Sequence, residues 1–170
     1  MKKVLLFIIF FGIYISSFAQ VNVVANNTAA ILAQTLVGTG VTVSNPTINC
    51  GAAPAGSPNL ASGLFTATNS NLGMDSGIVL TTGVAASGPG IIGANGPVAN
   101  FASGSTGNGG DPDLTQLING ATYDKCILEF DFVTTGDSVK FDYVFGSEEY
   151  LSYTCSFFND VFGFFLADLA

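Results

Sequence analysis

Two consecutive stretches in the second half of the chain constrain its fold more than anything else in it. In Ile127 to Val133, Leu128, Phe130 and Phe132 point one way while Glu129 and Asp131 point the other. In Ser138 to Phe145, Val139, Phe141, Tyr143 and Phe145 oppose Lys140 and Asp142. A period of two is the signature of a half-buried β-strand, because successive Cβ atoms leave opposite faces of the pleat. The four residues between them, Thr134 to Asp137, have the length of a hairpin loop. Such a hairpin sets Val133 opposite Ser138, Asp131 opposite Lys140, Phe132 opposite Val139, Phe130 opposite Phe141 and Glu129 opposite the like-charged Asp142. Further on, Val161 to Leu166 is an unbroken apolar run, the pattern of a strand buried on both faces. A one-sided hairpin followed by a two-sided strand calls for a second layer. The expected fold is all-β, an antiparallel sandwich, jelly-roll-like, with one short N-terminal helix. A buried strand this close to Ala170 leads us to expect an incomplete domain.

The helix is expected after Asn27-Thr28, where Ile31, Leu32, Thr35 and Leu36 share a face and Gly38 supplies a C′ glycine. Val41 to Ser44 alternates as a short strand, and Ile78-Val79-Leu80 begins another between Gly77 and Gly83. Gly51 to Gly63, and Gly83 to Gly110, carry the Gly, Ala, Ser, Asn and Pro chemistry of loops. Leu114 to Ile118 is placed as a helical turn after Asp111 and Asp113.

Charge and cysteine set the compartment and remove whole classes of function. Met1-Lys2-Lys3, the apolar run Val4 to Ile15, and Ser17 and Ala19 before Gln20 form the pattern of a secretory signal peptide over residues 1–19, with a domain over 20–170. The apolar run falls short of the roughly 20 residues that span a bilayer, and no later segment is long and apolar enough. Once Lys2 and Lys3 leave with the leader, the net charge of −8 becomes −10. A chain with no Arg, retaining only Lys125 and Lys140, cannot neutralise phosphates, which excludes nucleic acid as a partner. The absence of His removes Ser/His/Asp catalysis and His-ligated zinc. Cys50, Cys126 and Cys155 predict one disulfide and one remaining thiol, either buried and free or paired outside the chain.

Three motifs compete for chemistry. Gly88 to Gly93 spells a literal GxGxxG, but Ala94-Asn95-Gly96-Pro97 breaks the helix whose N-terminus would meet a pyrophosphate, so no nucleotide cofactor is expected. Gly107 to Asp113 places Asp111 and Asp113 two apart on a Gly-rich turn, an arrangement able to converge on calcium or simply to cap the next element. Ser147-Glu148-Glu149-Tyr150 and Asn159-Asp160 concentrate carboxylates between two apolar segments. All five acids, Asp111, Asp113, Glu148, Glu149 and Asp160, offer oxygen alone, which suits calcium over zinc. Most of the 15 Phe are assigned to the core, whereas Tyr150 and Tyr153, beside the acidic loop, are candidates for ligand contact.

The blocks Leu128 to Val133, Tyr143 to Tyr150 and Phe158 to Leu166 closely resemble the choice-of-anchor L domain family of bacterial secreted and surface proteins. Gln34 to Asn45, Leu72 to Leu80 and Gly110 to Leu114 are similar to its other blocks. The resemblance implies a protein that reaches the cell surface by one of several C-terminal anchors or sorting signals, type IX secretion tails among them. It also implies further domain sequence after the Phe158 to Leu166 block. It implies no established enzyme activity and no agreed ligand.

The expected function is therefore a secreted or surface module that is not an enzyme, engaged in adhesion or in glycan or matrix contact and stabilised by calcium. The alternatives are a carbohydrate-active hydrolase resting on Glu148, Glu149 and Asp160, and a purely structural surface spacer.

Overall fold

The computed structural model describes residues 21–25, 27–51, 61–68, 70–85, 106–147, 153, 155–158 and 160–168. The leader expected at residues 1–19, the GxGxxG segment, and Glu148, Glu149 and Tyr150 lie outside the described residues. The fold is all-β and sandwich-like, built of antiparallel sheets with two short helices. One sheet has the order β1-β3-β4, with β1 at Asn22–Ala25, β3 at Ser62–Thr66 and β4 at Ser76–Leu80. The other pairs β2, Val41–Cys50, with β5, Cys126–Thr134. The helices are α1, Ala29–Leu36, and α2, Pro112–Ile118.

Helix α1 begins where the capping rule places it: the Thr28 hydroxyl accepts from the Ile31 N–H at 3.3 Å. Its buried stripe is Leu32 and Ala33, and it touches β2, β4 and β5, so it bridges the two sheets. The C-terminal end departs from expectation. Val37 caps it in an extended conformation, and the left-handed glycine is Gly40, φ 86°, which turns the chain into β2. The three-stranded sheet packs Val23, Phe65, Ala67 and Ala85 into a small core, with Val21, Leu72, Met74 and Val79 around it.

Strand β2 is ten residues long, well beyond the four that alternate in sequence. Val41 and Val43 face inward, then Asn45 adopts φ 50° and Pro46 follows, and from there Ile48 and Cys50 face inward. Register passes from Ser44↔Asp131 to Thr47↔Glu129, so Asn45-Pro46 is a β-bulge. The extra residue switches which parity points inward, and this is why the alternation stops at Ser44 in the sequence. Proline fits there because a bulge position needs no ladder N–H. Two strands, β1 and β3, lie where no strand was expected. β3 starts at Ser62, inside the stretch read as loop, and its small residues are buried by close strand packing.

Strand β5 forms as expected: Phe130 and Phe132 share a face, ring centroids 6.2 Å apart. Its partner is different. Val133 faces Thr42, Asp131 faces Ser44 and Glu129 faces Thr47 on β2, and among the described residues no ladder joins β5 to residues 138–145 across Thr134 to Asp137. The Cys50–Cys126 disulfide joins directly opposed residues at the end of this ladder, which pins the β2 register. Cys126 Sγ lies 3.4 Å from the Ala61 carbonyl, next to β3, so the disulfide sits where the two sheets approach each other. Cys155 is free and exposed rather than buried.

Ser138 to Phe145 and Val161 to Leu166 carry no assigned strand. They lie side by side through their rings instead: Phe141 on Phe164 at 4.4 Å, Tyr143 on Phe162 at 5.4 Å, and Phe145 near Phe162 at 6.5 Å. The 161–166 run, expected to be buried on both faces, is largely exposed, with Phe162, Phe164, Phe165 and Leu166 from 45% to 71% accessible. An apolar run identifies a strand that can be buried, but burial also needs a covering layer, and among the described residues cover is partial, with Leu114 of α2 meeting the run at Gly163 while its phenylalanines stay open.

Candidate functional site

Two places gather the acids singled out in the sequence. At the first, Asp111 caps α2: its Oδ1 accepts from the N–H groups of Asp113 and Leu114, each at 3.0 Å. Proline at the first helical position and exposed Asp113 in the first turn suit a helix start with its partial positive charge. The segment before it is knitted to the entry of β5. Asn108 Nδ2 donates to the Lys125 carbonyl at 2.9 Å, Asp124 N–H donates to the Asn108 carbonyl at 2.8 Å, and Lys125 N–H donates to Gly109 at 3.2 Å. The Thr122 hydroxyl accepts from Asp111 N–H at 2.9 Å and contacts the Thr115 hydroxyl at 2.8 Å. Gly110 is required here, since a Cβ would run into the Thr122 carbonyl. Asp111 thus has a helix-capping role, with one carboxylate oxygen engaged.

At the second place, Ser147 Oγ donates to Asp160 Oδ2 at 3.0 Å. This closes the acidic loop at its two ends; Glu148 and Glu149 fall inside that loop in sequence and lie outside the described residues. Within the loop, Ser156 N–H donates to the Tyr153 carbonyl at 2.9 Å and Phe158 N–H to Ser156 Oγ at 3.1 Å, with Cys155 left-handed at φ 63°. This tight turn presents Tyr153, half exposed, edge-on to Phe158 with centroids 5.4 Å apart. Phe157 stands fully in solvent. Phe157 and Phe158 escaped the sequence reading, since a pair of rings outside any alternating segment gives no signal of facing out.

A row of polar pairs on the solvent face of β2 and β5 was also missed. Asn45 Nδ2 donates to Asp131 Oδ2 at 2.7 Å, the Thr47 hydroxyl reaches Glu129 at 3.5 Å, and Asn108 Nδ2 meets Asn49 Oδ1 at 3.4 Å. Only the bulge reveals which residues oppose one another. Among the described residues, no three or more of His, Cys, Asp and Glu come together in a group that could hold a metal ion. No helix among them is long and apolar enough to cross a membrane.

The family model of the choice-of-anchor L domain matches residues 20–170. The chain belongs to the choice-of-anchor L domain family. No curated protein and no solved structure matches it significantly. Membership makes this choice-of-anchor L domain a module of a secreted or surface protein, and the family is not a known enzyme family. Residues 141–147 and 160–164 meet through the aromatic contacts and the Ser147–Asp160 hydrogen bond.

Proposed function

We propose that this choice-of-anchor L domain is a non-enzymatic contact module that engages a glycan or matrix protein through the aromatic turn at Tyr153, beside a loop stabilised by calcium. The observation that carries the reading is the turn itself. Tyr153 and Phe158 are exposed, held edge to face, and set next to the acidic loop closed by Ser147 and Asp160. An aromatic body with a hydroxyl tip suits a surface that is apolar on one side and wet on the other, as a sugar ring is. Tyr150, in the same loop, is the second contact residue proposed. Glu148, Glu149 and Asp160 are the proposed calcium ligands. Asp111 and Asp113 form a second locus, where one Asp111 oxygen already serves the helix. A cation would offset the repulsion of clustered carboxylates.

The test is a panel of polysaccharides and matrix proteins presented to the mature protein, with binding and product release followed together. Binding without turnover, unchanged in catalytic outcome by Glu148→Gln or Glu149→Gln, is expected. Turnover abolished by either substitution makes the protein a hydrolase. Neither binding nor turnover makes it a spacer.

A further inference from the structure

We infer that the aromatic turn takes the interior of a neutral, soluble polysaccharide chain that curves, with Phe157 as a further contact ring; this rests on the contact module proposed above and names the ligand class for it. Three observations select that occupant: the angle between the rings, the size of the exposed aromatic patch, and the charge of the chain around it.

Tyr153 and Phe158 stand 5.4 Å apart between centroids, with their planes at 73°. Two rings at that angle cannot both lie flat against one flat ribbon of sugars, so the surface of a crystalline polysaccharide would meet only one of them. A chain whose successive pyranoses change direction can set an apolar C–H face on each. The turn fixes the angle through its own hydrogen bonds, Ser156 N–H to the Tyr153 carbonyl at 2.9 Å and Phe158 N–H to Ser156 Oγ at 3.1 Å, with Cys155 left-handed at φ 63° between them. Rings ordered in advance lose little freedom on binding. Phe157 is fully exposed, Phe158 is 63% and Tyr153 50% accessible. Weighted by exposure, three aromatic side chains present roughly 300–500 Å², short of the about 800 Å² per partner of a standard protein–protein interface. A patch of that size suits a few sugar rings. It is also open: the hollows among the described residues lie elsewhere, one between Phe132 and Phe164 and one on α1 at Ala30 and Gln34. An open patch reads the middle of a chain, whereas a pocket encloses its end.

Charge removes the acidic glycans. After Gln20 the chain carries twelve acids against Lys125 and Lys140. Residues 153–158 hold no charged side chain, and Asp160 follows two residues past Phe158. A sugar bearing carboxylate or sulfate would meet repulsion at this turn and no cation to pair with.

The experiment is titration calorimetry of the full mature chain with the hexasaccharide of β-1,3-linked glucose, whose chain curves; the hexasaccharide of β-1,4-linked glucose, which is a flat ribbon; polygalacturonate; and gelatin as a matrix protein. The β-1,3 hexasaccharide is expected to bind saturably and at least about tenfold more tightly than the β-1,4 hexasaccharide, and reducing its terminal aldehyde to the alcohol should change nothing. Phe157→Ala should weaken that binding about tenfold without moving the melting temperature, because the ring stands in solvent, whereas Val133→Ala, on exposed surface of β5, should leave binding unchanged. Equal binding of the two hexasaccharides, loss of binding when the chain end is reduced, or binding indifferent to Phe157→Ala would overturn the inference. Binding of polygalacturonate or gelatin that Tyr153→Ala abolishes would overturn it too, while leaving the contact module standing. A protein that binds none of the four probes, or binds them regardless of Tyr153→Ala, would overturn both.

Discussion

Gly63 shows how a single residue fixes a strand pairing. A Cβ at this position would sit 2.6 Å from the Val24 carbonyl oxygen and 2.8 Å from Val23 Cγ1, and the first of these is backbone that cannot swing aside. Gly63→Ala should cost about 1–3 kcal/mol through overpacking, read as a melting temperature lower by roughly 2–4 °C per kcal/mol in a chain of this size. Gly38→Ala is the matched control: it has open space around it and no left-handed backbone, so stability should hold or rise by about 0.4–1 kcal/mol. Asp111 separates capping from metal binding. Asp111→Ala should lose about 1 kcal/mol because the Asp113 and Leu114 N–H groups lose their acceptor. Asp111→Asn keeps an acceptor oxygen there and should restore most of that loss, and any calcium dependence it removes assigns a cation to this turn. The cap itself is legible in the sequence, since Asp-Pro-Asp before an apolar segment is a helix start. The Gly63 contact is not, because nothing local records how closely β1 approaches.

At the scale of elements, the sequence reveals strands whose side chains alternate and hides those that do not. β5 and the start of β2 show a period of two. β3, Ser-Gly-Leu-Phe-Thr, opens with two small residues, Ser62 and Gly63, that are buried between neighbours and read as the end of a loop, and it is too short to show alternation. The remainder of β2 is hidden by the Asn45-Pro46 bulge. Asn45 holds φ 50° and donates to Asp131, two reasons for an asparagine at that point. Asn45→Val should be destabilising by about 1–2 kcal/mol from the left-handed backbone alone, while Asn45→Gly relieves that strain and loses only the side-chain hydrogen bond. Thermal melts of the two variants rank them: a Val variant as stable as the Gly variant would mean the bulge is not there. The hairpin register expected across Thr134 to Asp137 fails for a reason of the same kind. A strand has two edges, and periodicity says which face of β5 is buried without saying which edge is paired or by what. The cross-link from Cys50 to Cys126 spans 76 residues of sequence and selects β2.

For the molecule as a whole, helix α1 bridges the two sheets, the disulfide staples β2 to β5 within one of them, and the core is centred on Val23 and Phe65, with the inward residues of β2 and β5 only half-buried. Closing so long a loop restricts the unfolded chain by up to about 4 kcal/mol in the entropic account. Paired Cys50→Ser and Cys126→Ser substitutions should therefore lower the melting temperature by about ten degrees, whereas Cys155→Ser should leave it unchanged. Calcium bound at the proposed acids would add a smaller term. Extracellular calcium sites bind at about 10⁻⁴ to 10⁻³ M, so millimolar calcium would contribute about 0.4–1.4 kcal/mol. The protein should melt a few degrees lower in chelator, with Asp160→Asn reducing the difference, and an unchanged melting temperature would identify the acids as a solvated face. Fold class, compartment and family are legible in the chain, because alternation, charge and motif blocks are local. The arrangement of the candidate site is legible only in part. Its acids and Tyr153 announce themselves by composition, while Phe157, Phe158 and the exposed aromatic pairing of 138–145 with 161–166 arise from contacts between distant segments. The most direct measurement is titration calorimetry of the mature protein against the strongest-binding polysaccharide or matrix protein of the panel, with product release followed in the same samples. Saturable binding, weakened about tenfold or more by Tyr153→Ala and accompanied by no turnover, is the predicted result. Release of sugar from the polysaccharide, or binding indifferent to Tyr153→Ala, would contradict a contact module built on that turn.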